Sequence, residues 1–431
     1  MEKKKRFWTY ENKMVIIFSF VFGFVLFDRF ALSNLQNFVM SDMGWTYADF
    51  GLVSSVFGIT WAVVGLFGSM IADTSKNRKR LMIIIVVGFS ICSMLTGMVQ
   101  GLIMMIIIRV IMGGFEGPCL MVLQGFVVPQ STPSRRGTNI GIIQVCAVGL
   151  ITSLIGPLLQ VWLAETIGWR NAFLLTIIPG AILAICIGKV LVNPGQKIPG
   201  LSDEEQPKHE VYVIKEGERG NIRDMLKAFQ NRNCIVSLIA TLFLLGWFVT
   251  TSTYLPGFLT QVKGLTDVQM SWVMSATGAG SICWGFVIPR ISDKVGRKPL
   301  ILVAGTLTVL GSLGWLYGPS SIPFLMMTSF IAWSGCICAT MTQTVVLGDS
   351  VDPRYLSTLF ATNNLTGELI GGMPTILILG RLVAVHGLTL AIQTTTVYEA
   401  IGVIIVMLFM KESAPAVLAK RKAKAEAKSG V

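Results

Sequence analysis

Twelve separate stretches of roughly twenty mostly apolar residues run along this chain, each long enough for a helix to cross the hydrocarbon of a bilayer. They fall at about 14–37, 48–71, 81–100, 102–129, 138–162, 171–192, 233–258, 268–289, 299–318, 322–347, 357–382 and 388–410. Inside lipid a backbone amide finds no water, so each stretch must close its own hydrogen bonds as a helix. The fold class expected is all-α integral membrane, with twelve transmembrane helices. Composition agrees, since 53% of residues are hydrophobic and only 13% charged, about half the charge of an ordinary soluble domain. Lys3-Lys4-Lys5-Arg6 leads into the first span without a small-residue cleavage site, so that span reads as a retained helix.

The formal charge of +12 raises the question of a nucleic-acid partner, and the placement of the bases answers it. With the N-terminus cytoplasmic, 30 of the 35 Lys and Arg fall in cytoplasmic segments, as the positive-inside rule requires. Arg29 and Arg109 are intramembrane, and Arg170, Lys263 and Arg381 lie toward the outside. The charge is a topology signal, and no nucleic acid is implied. The expectation is a multi-pass protein of a bacterial inner membrane with both termini cytoplasmic. The stretch from Asn193 to Arg232 carries seven acids and seven bases and reads as a cytoplasmic linker, with a short amphipathic helix around 222–229. The division expected is a bundle at 1–192, a linker at 193–232, a second bundle at 233–410 and a basic tail at 411–431. That tail suits anionic headgroups, making membrane lipid a partner.

All eight cysteines fall within apolar segments and read as small, reduced, buried side chains. Cys336-Ile337-Cys338 lacks metal-ligand spacing, so no metal and no cofactor is expected. No nucleophile and base constellation or phosphate-binding loop is present, and His209 and His386 are poorly placed for catalysis, so the chain is not read as an enzyme. No appended domain supports a receptor or scaffold.

Charges inside the spans carry the function. Asp28-Arg29 interrupts the first span, and Arg109 and Glu116 stand seven residues apart on one face of the fourth. A charge near the bilayer centre costs at least about 2.5 kcal/mol, so such residues mark a functional site. Asp28 lies roughly 21 Å above the inner end of its helix and Arg109 roughly 11 Å below the outer end of its own, levels that nearly coincide. Arg109 is therefore expected to pair with Asp28 or Glu116. Glu116 adjoins Gly117-Pro118, where proline permits a kink. Guanidinium stays charged, so protonation of Asp28 or Glu116 leaves the site needing an anion. Proton and organic carboxylate should bind together: Arg29 coordinates substrate through its bidentate fork, while Asp28, Arg109 and Glu116 handle the proton. Glu116 is the first choice for the coupling site.

Further residues are expected to complete the substrate site. These are Trp61 in the second span, Gln144 in the fifth, Tyr254 with Trp247, Thr250 and Thr251 in the seventh, Trp333 and Gln343 in the tenth, and Asn363, Asn364 and Glu368 in the eleventh.

The two halves also repeat each other. Asp73 and Asp293 lie 220 residues apart, each after the second span of its half and each followed by a cluster of bases, Arg78-Lys79-Arg80 and Arg297-Lys298. Ser69-Met70-Ile71-Ala72-Asp73 and Pro289-Arg290-Ile291-Ser292-Asp293-Lys294-Val295-Gly296-Arg297-Lys298 resemble the signature loop of the major facilitator superfamily. The resemblance implies two pseudo-symmetric six-helix bundles, with Asp73 and Asp293 as gate residues. A narrower resemblance is to the anion:cation symporter family of organic acid and proton symporters. Asp28-Arg29 with Ser33, Arg109 with Gly113 and Glu116-Gly117, Gly168-Trp169-Arg170 with Ala172-Phe173, and Asn364 with Gly367 carry it. Trp61 and Phe27 stand where that family often has tyrosine, which favours an aromatic or weakly hydroxylated acid over a sugar acid. The activity implied is proton-coupled import of a small organic anion by a monomer. The competing reading is a proton-coupled exporter of drugs or organic cations, because Glu368 makes three acids against two arginines. Against it, Gly156-Pro157 is followed by Leu158-Leu159-Gln160, where drug antiporters usually show further glycines.

Overall fold

A computed structural model of the chain describes residues 8–74, 77–132, 135–194, 196–198, 231–351, 353–420 and 423. The linker helix expected around 222–229 and residues 421–422 and 424–431 of the basic tail lie outside the described residues. Among the described residues twelve helices are long and apolar enough to cross a membrane: α1 Tyr10–Asn34, α2 Tyr47–Gly68, α3 Arg78–Thr96, α4 Leu102–Gln130, α5 Arg136–Ile167 and α6 Trp169–Val190 in the first half. The second half holds α7 Arg232–Gln261, α8 Asp267–Val295, α9 Arg297–Tyr317, α10 Ile322–Ser350, α11 Thr362–His386 and α12 Leu388–Phe409. The chain is thus an all-α membrane protein of two six-helix bundles.

Local chemistry sets the ends. The Thr9 side chain accepts the Asn12 amide and starts α1 four residues before its apolar run. Leu35 then leaves helical geometry, and the chain continues in a short helix, Gln36–Met43. Thr266 and Gln269 form a capping box at the start of α8. Gly168 between α5 and α6 and Gly387 between α11 and α12 have φ of 84° and 81°, a region that favours glycine. These two turns occupy equivalent places in the two halves.

Three spans widen into π-helical turns: Cys146–Ile155 in α5, Met341–Val345 in α10 and Gly367–Gly372 in α11. Those in α5 and α11 end two residues before Pro157 and Pro374. Proline has no N–H and crowds the preceding turn, which a wider turn accommodates. In α4 the helix runs Leu102–Glu116 and resumes at Cys119–Gln130, interrupted at Gly117-Pro118 as the sequence leads one to expect.

The halves meet most closely through α2 on α11 and α5 on α8. A Cβ on Gly51 would lie 3.0 Å from the Ile376 carbonyl oxygen and 3.1 Å from the Gly380 Cα. On Gly278 it would lie 2.2 Å from the Leu154 amide nitrogen. Hydrogen bonds across the halves accompany these contacts. Asn37 Nδ2 donates to Asp267 Oδ1 at 2.7 Å and to Thr260 Oγ1 at 3.0 Å. Ser275 Oγ donates to the Leu154 carbonyl at 2.7 Å, and Ser55 Oγ to that of Met373 at 3.1 Å. Of these residues, Asn37, Thr260 and Asp267 lie at the end of the bundle whose loops are poor in bases.

The α5 and α8 contact gives a direct test. Gly278→Val should lower stability by about 1–3 kcal/mol through overpacking, read as a fall in the thermal-unfolding midpoint of the detergent-solubilised protein. An unchanged midpoint would show that the two helices do not meet through this glycine.

Candidate functional site

The sequence marks α1 and α4 as the charged helices, and the structure brings both to one small interior cavity of about 30 Å³. Its lining comes from α1 (Arg29, Phe30, Leu32, Ser33), α2 (Ser54, Phe57), α4 (Arg109), α7 (Val249, Thr253) and α11 (Met373, Ile376). Both guanidinium groups face it, and no acid lines it. Phe30 separates it from a second cavity of about 20 Å³, whose walls include Asn34, Thr152, Phe248, Ser252 and Trp333.

Arg29 is held on two sides. Its Nη2 donates to both carboxylate oxygens of Glu368, at 2.9 and 3.0 Å, in an ion pair whose side chains are only 8% and 5% exposed. Its guanidinium lies 4.4 Å from the Trp61 ring centre and 5.9 Å from that of Phe57, close enough for cation–π attraction. Glu368 sits in the π-helical turn of α11. Among the described residues this is the only ion pair that joins the two halves.

Arg109 is differently placed. It is buried, its Nη1 lies 3.7 Å from Met112 Sδ, and its Nε and Nη2 have no partner among the described residues. The ion pair expected between Arg109 and Asp28 or Glu116 is not formed, so its donors are available at the cavity. Asp28 is fully buried and accepts from Ser93 Oγ of α3 at 2.5 Å. Thr176 Oγ1 of α6 donates to the same Ser93 oxygen at 2.9 Å. Oδ2 of Asp28 is unpartnered, as are both oxygens of Glu116, which lies at the break in α4. A buried carboxyl without a donor needs a proton or a cation beside it, and Glu116 and Asp28 stand in that condition next to Arg109.

Gln160 of α5 fixes the turn that carries Asp28 and Arg29. Its Nε2 donates to the Phe27 carbonyl at 2.7 Å, and its Oε1 accepts from Asn34 Nδ2 at 2.8 Å. Serines, threonines and glutamines are unremarkable in a membrane sequence, so Ser93, Thr176 and Gln160 carried no distinguishing signal.

The other expected residues divide. Trp61 packs on Arg29 and, with Asn364, Gly117, Leu120 and Phe360, walls a further cleft of about 80 Å³ between α2, α4 and the start of α11. Tyr254 does not line the first cavity: its hydroxyl donates to the Ile376 carbonyl at 2.6 Å, fastening α7 to α11. Asn363 likewise turns away, donating to Ser237 Oγ at 2.7 Å. Gln144 is half-buried and outside the lining of both interior cavities. Trp247 and Trp333 stack edge to face, and Trp333 faces the second cavity. Glu399 of α12 is a buried acid that the sequence reading passed over, with the Cys338 thiol of α10 beside its carboxylate. A single acid in the twelfth apolar run was the available signal.

At the base-rich end, Asp293 pairs with Arg297 at 2.5 Å, and Arg297 holds Asp349 of α10 at 2.9 Å. Glu412, just beyond α12, accepts the Arg297 amide at 2.8 Å and so caps α9. Asp73 lies on the helix Tyr47–Thr74, and its side chain is outside the described ones.

The sequence matches the family described as Major Facilitator Superfamily over residues 18–375. It is 26% identical over 298 residues to a hexuronate transporter of Bacillus subtilis (strain 168), covering 67% of each chain. It is 23% identical over 338 residues to the multidrug resistance protein MdtG of Dickeya zeae (strain Ech586), covering 74% of this chain and 76% of that protein. The structure is similar to that of a D-xylose-proton symporter, with a TM-score of 0.75 at 13% identity, over 94% of this chain and 99% of the other.

Ser93→Ala removes the donor that Asp28 keeps. A hydrogen bond to a charged group contributes about 1.5–3 kcal/mol, so the thermal-unfolding midpoint should fall, while Ser93→Thr should retain it. Equal midpoints for Ala, Thr and wild type would show that Ser93 does not hold Asp28.

Proposed function

The chain belongs to the Major Facilitator Superfamily, and from that premise we propose that it imports a small organic carboxylate together with protons by alternating access. One observation carries the reading: two arginines and no acid line the interior cavity. Glu368 makes three interior acids against two arginines, which alone would favour an organic cation. It is however bound to Arg29 and absent from the cavity lining, so a substrate meets guanidinium groups and aromatic rings. That arrangement selects against a drug cation and against the export reading.

The charge balance supplies the coupling. Asp28, Glu116 and Glu368 against Arg29 and Arg109 leave the empty site at net −1 when every acid is ionised. A monocarboxylate brought with one proton leaves that value unchanged, so the pair crosses without moving extra charge into hydrocarbon. Glu116 is the first acceptor for the proton and Asp28 the second, each with an unpartnered oxygen near Arg109. Arg109, with free donors at the cavity, receives one carboxylate and Arg29 the other side of the substrate. Phe30, Phe57 and Trp61 supply aromatic faces and no hydroxyl, which fits an aromatic or weakly hydroxylated acid better than a sugar acid.

The halves at 1–192 and 233–410 would rock about this site, with the linker at 193–232 joining them. Asp293, through Arg297 and Asp349, would fasten α8 to α10 at the base-rich end and gate it, as Asp73 would in the first half. The protein works as a monomer in a bacterial inner membrane, both termini cytoplasmic, with the basic tail against lipid headgroups.

Counterflow in proteoliposomes loaded with D-glucuronate, D-galactonate, cis,cis-muconate, benzoate or a cationic dye tests the reading, with lumenal pH followed in weak buffer. Exchange of a carboxylate, and acidification of the lumen on net uptake, are expected; exchange of the dye alone would overturn it. Glu116→Gln should abolish accumulation driven by a proton gradient while counterflow persists. Full accumulation in that variant would move the coupling site to Asp28. Arg29→Lys removes the fork that accepts a carboxylate through two bonds and should raise the half-saturation concentration about tenfold or more. An unchanged value would exclude Arg29 from substrate recognition.

A further inference from the structure

We propose that Glu368 is an internal stand-in for the substrate: its carboxylate occupies Arg29 in the empty transporter, and an incoming carboxylate displaces it. The inference rests on the organic-anion reading above and names the group with which the substrate competes.

Three observations point to it. Glu368 presents both oxygens to one guanidinium nitrogen, which is what a carboxylate ligand of Arg29 would do. The pair joins α1 of one half to α11 of the other and is buried on both sides, so any motion that separates the halves at this level must break it. Separation would leave a bare guanidinium and a bare carboxylate inside the protein, which is strongly unfavourable unless each finds a new partner. Arg29 also lines the cavity, whereas Glu368 does not, so the guanidinium can be approached from the cavity while Glu368 holds its other side. Trp61, 4.4 Å from the Arg29 guanidinium, keeps it in place during the exchange. The aromatic face attracts a cation and offers nothing to an anion, so it holds Arg29 without competing for either carboxylate.

The local backbone suits a carboxylate that comes and goes. Glu368 lies in a π-helical turn that follows Gly367 and contains Gly371 and Gly372. A Cβ on Gly371 would lie 2.0 Å from the Leu242 carbonyl oxygen, so the turn is pressed onto α7 on one side and carries Glu368 toward α1 on the other. Wide turns of this kind occur as local departures from α-helix at functional positions. In the exchange one carboxylate replaces another on Arg29 Nη2, and the displaced Glu368 takes up a proton from the cavity water, so that no bare carboxylate is left buried. When substrate leaves, Glu368 returns, and the empty carrier reorients with Arg29 neutralised. Glu368 would therefore set affinity and permit return of the empty carrier.

Two measurements on the full-length protein decide this. In detergent, thermal unfolding of wild type, Glu368→Ala and the double variant Arg29→Ala/Glu368→Ala is compared in sodium acetate and in equal sodium chloride. Acetate should raise the midpoint of Glu368→Ala above its value in chloride by several degrees, and should do so neither in wild type nor in the double variant. No acetate-specific rise in Glu368→Ala, or an equal rise in wild type, would overturn the proposal. In proteoliposomes the isosteric Glu368→Gln keeps the assignment testable if the alanine variant does not fold. Its half-saturation concentration for counterflow of D-glucuronate or cis,cis-muconate should fall about tenfold, because the internal competitor is gone, while net uptake slows. An unchanged or higher value overturns the proposal. If wild type exchanges neither acid, the transport reading falls, and the acetate comparison still decides the assignment of Glu368.

Discussion

Burying ionisable side chains within a membrane-spanning bundle is the constraint on which the rest of this structure depends. Asp28, Arg29, Arg109, Glu116 and Glu368 are all buried or nearly so, and only Arg29 and Glu368 form an ion pair with each other. Replacing a buried ion pair by apolar packing is often neutral or stabilising, so packing alone does not account for five such groups. The chain instead uses its other irregularities to hold them. The break at Gly117-Pro118 coincides with Glu116, the widened turn in α11 holds Glu368, and Gln160 pins the α1 turn at Phe27. Each device places a charged atom, and none improves the helix in which it occurs.

The helices were legible because the bilayer imposes one length and one polarity on each span, a signal that survives without knowledge of tertiary contacts. The charged residues of α1 and α4 were legible for the complementary reason, since an ion in such a run demands explanation. Their partners were not. The depth estimate placed Asp28 and Arg109 at one level, yet depth says nothing of azimuth, and the two do not form an ion pair. Glu368 stood out as an acid in the eleventh span, but its bond to Arg29 depends on how two halves separated by a linker come together. Tyr254 and Asn363 looked like site residues because polar groups in spans usually serve substrates. They bond to the Ile376 carbonyl and to Ser237 instead, and nothing in residue type separates those two uses. Ser93 was invisible for the converse reason: hydroxyls commonly bond the carbonyl one turn back within their own helix, as Ser90 does to Val86.

The equivalent turns of α5 and α11 show how a repeated architecture can serve unlike tasks. Both widen just before a proline, and both face the opposite half of the molecule. In α5 the wide segment contributes Gly149 and the Leu154 backbone to contact with α8, where small residues let backbones approach. In α11 the same irregularity carries Glu368 to Arg29. One half therefore uses the device for close packing and the other for charge, which breaks the pseudo-symmetry at the site itself.

A directional consequence follows from where the cross-half contacts lie. Apart from Arg29 and Glu368, the hydrogen bonds joining the halves among the described residues are neutral or singly charged, and those of Asn37 lie at the base-poor end. Such bonds exchange readily for water, so they part at small net cost. The ion pair is different, since each partner left alone stays buried. Opening at the base-poor end therefore becomes coupled to the chemical state of Arg29. A ligand that binds both states equally shifts nothing, whereas an anion that replaces Glu368 changes what separation of the halves costs. On the exchange proposed above, the pair would turn occupancy of the cavity into a change in conformational balance, which alternating access requires of a coupled transporter.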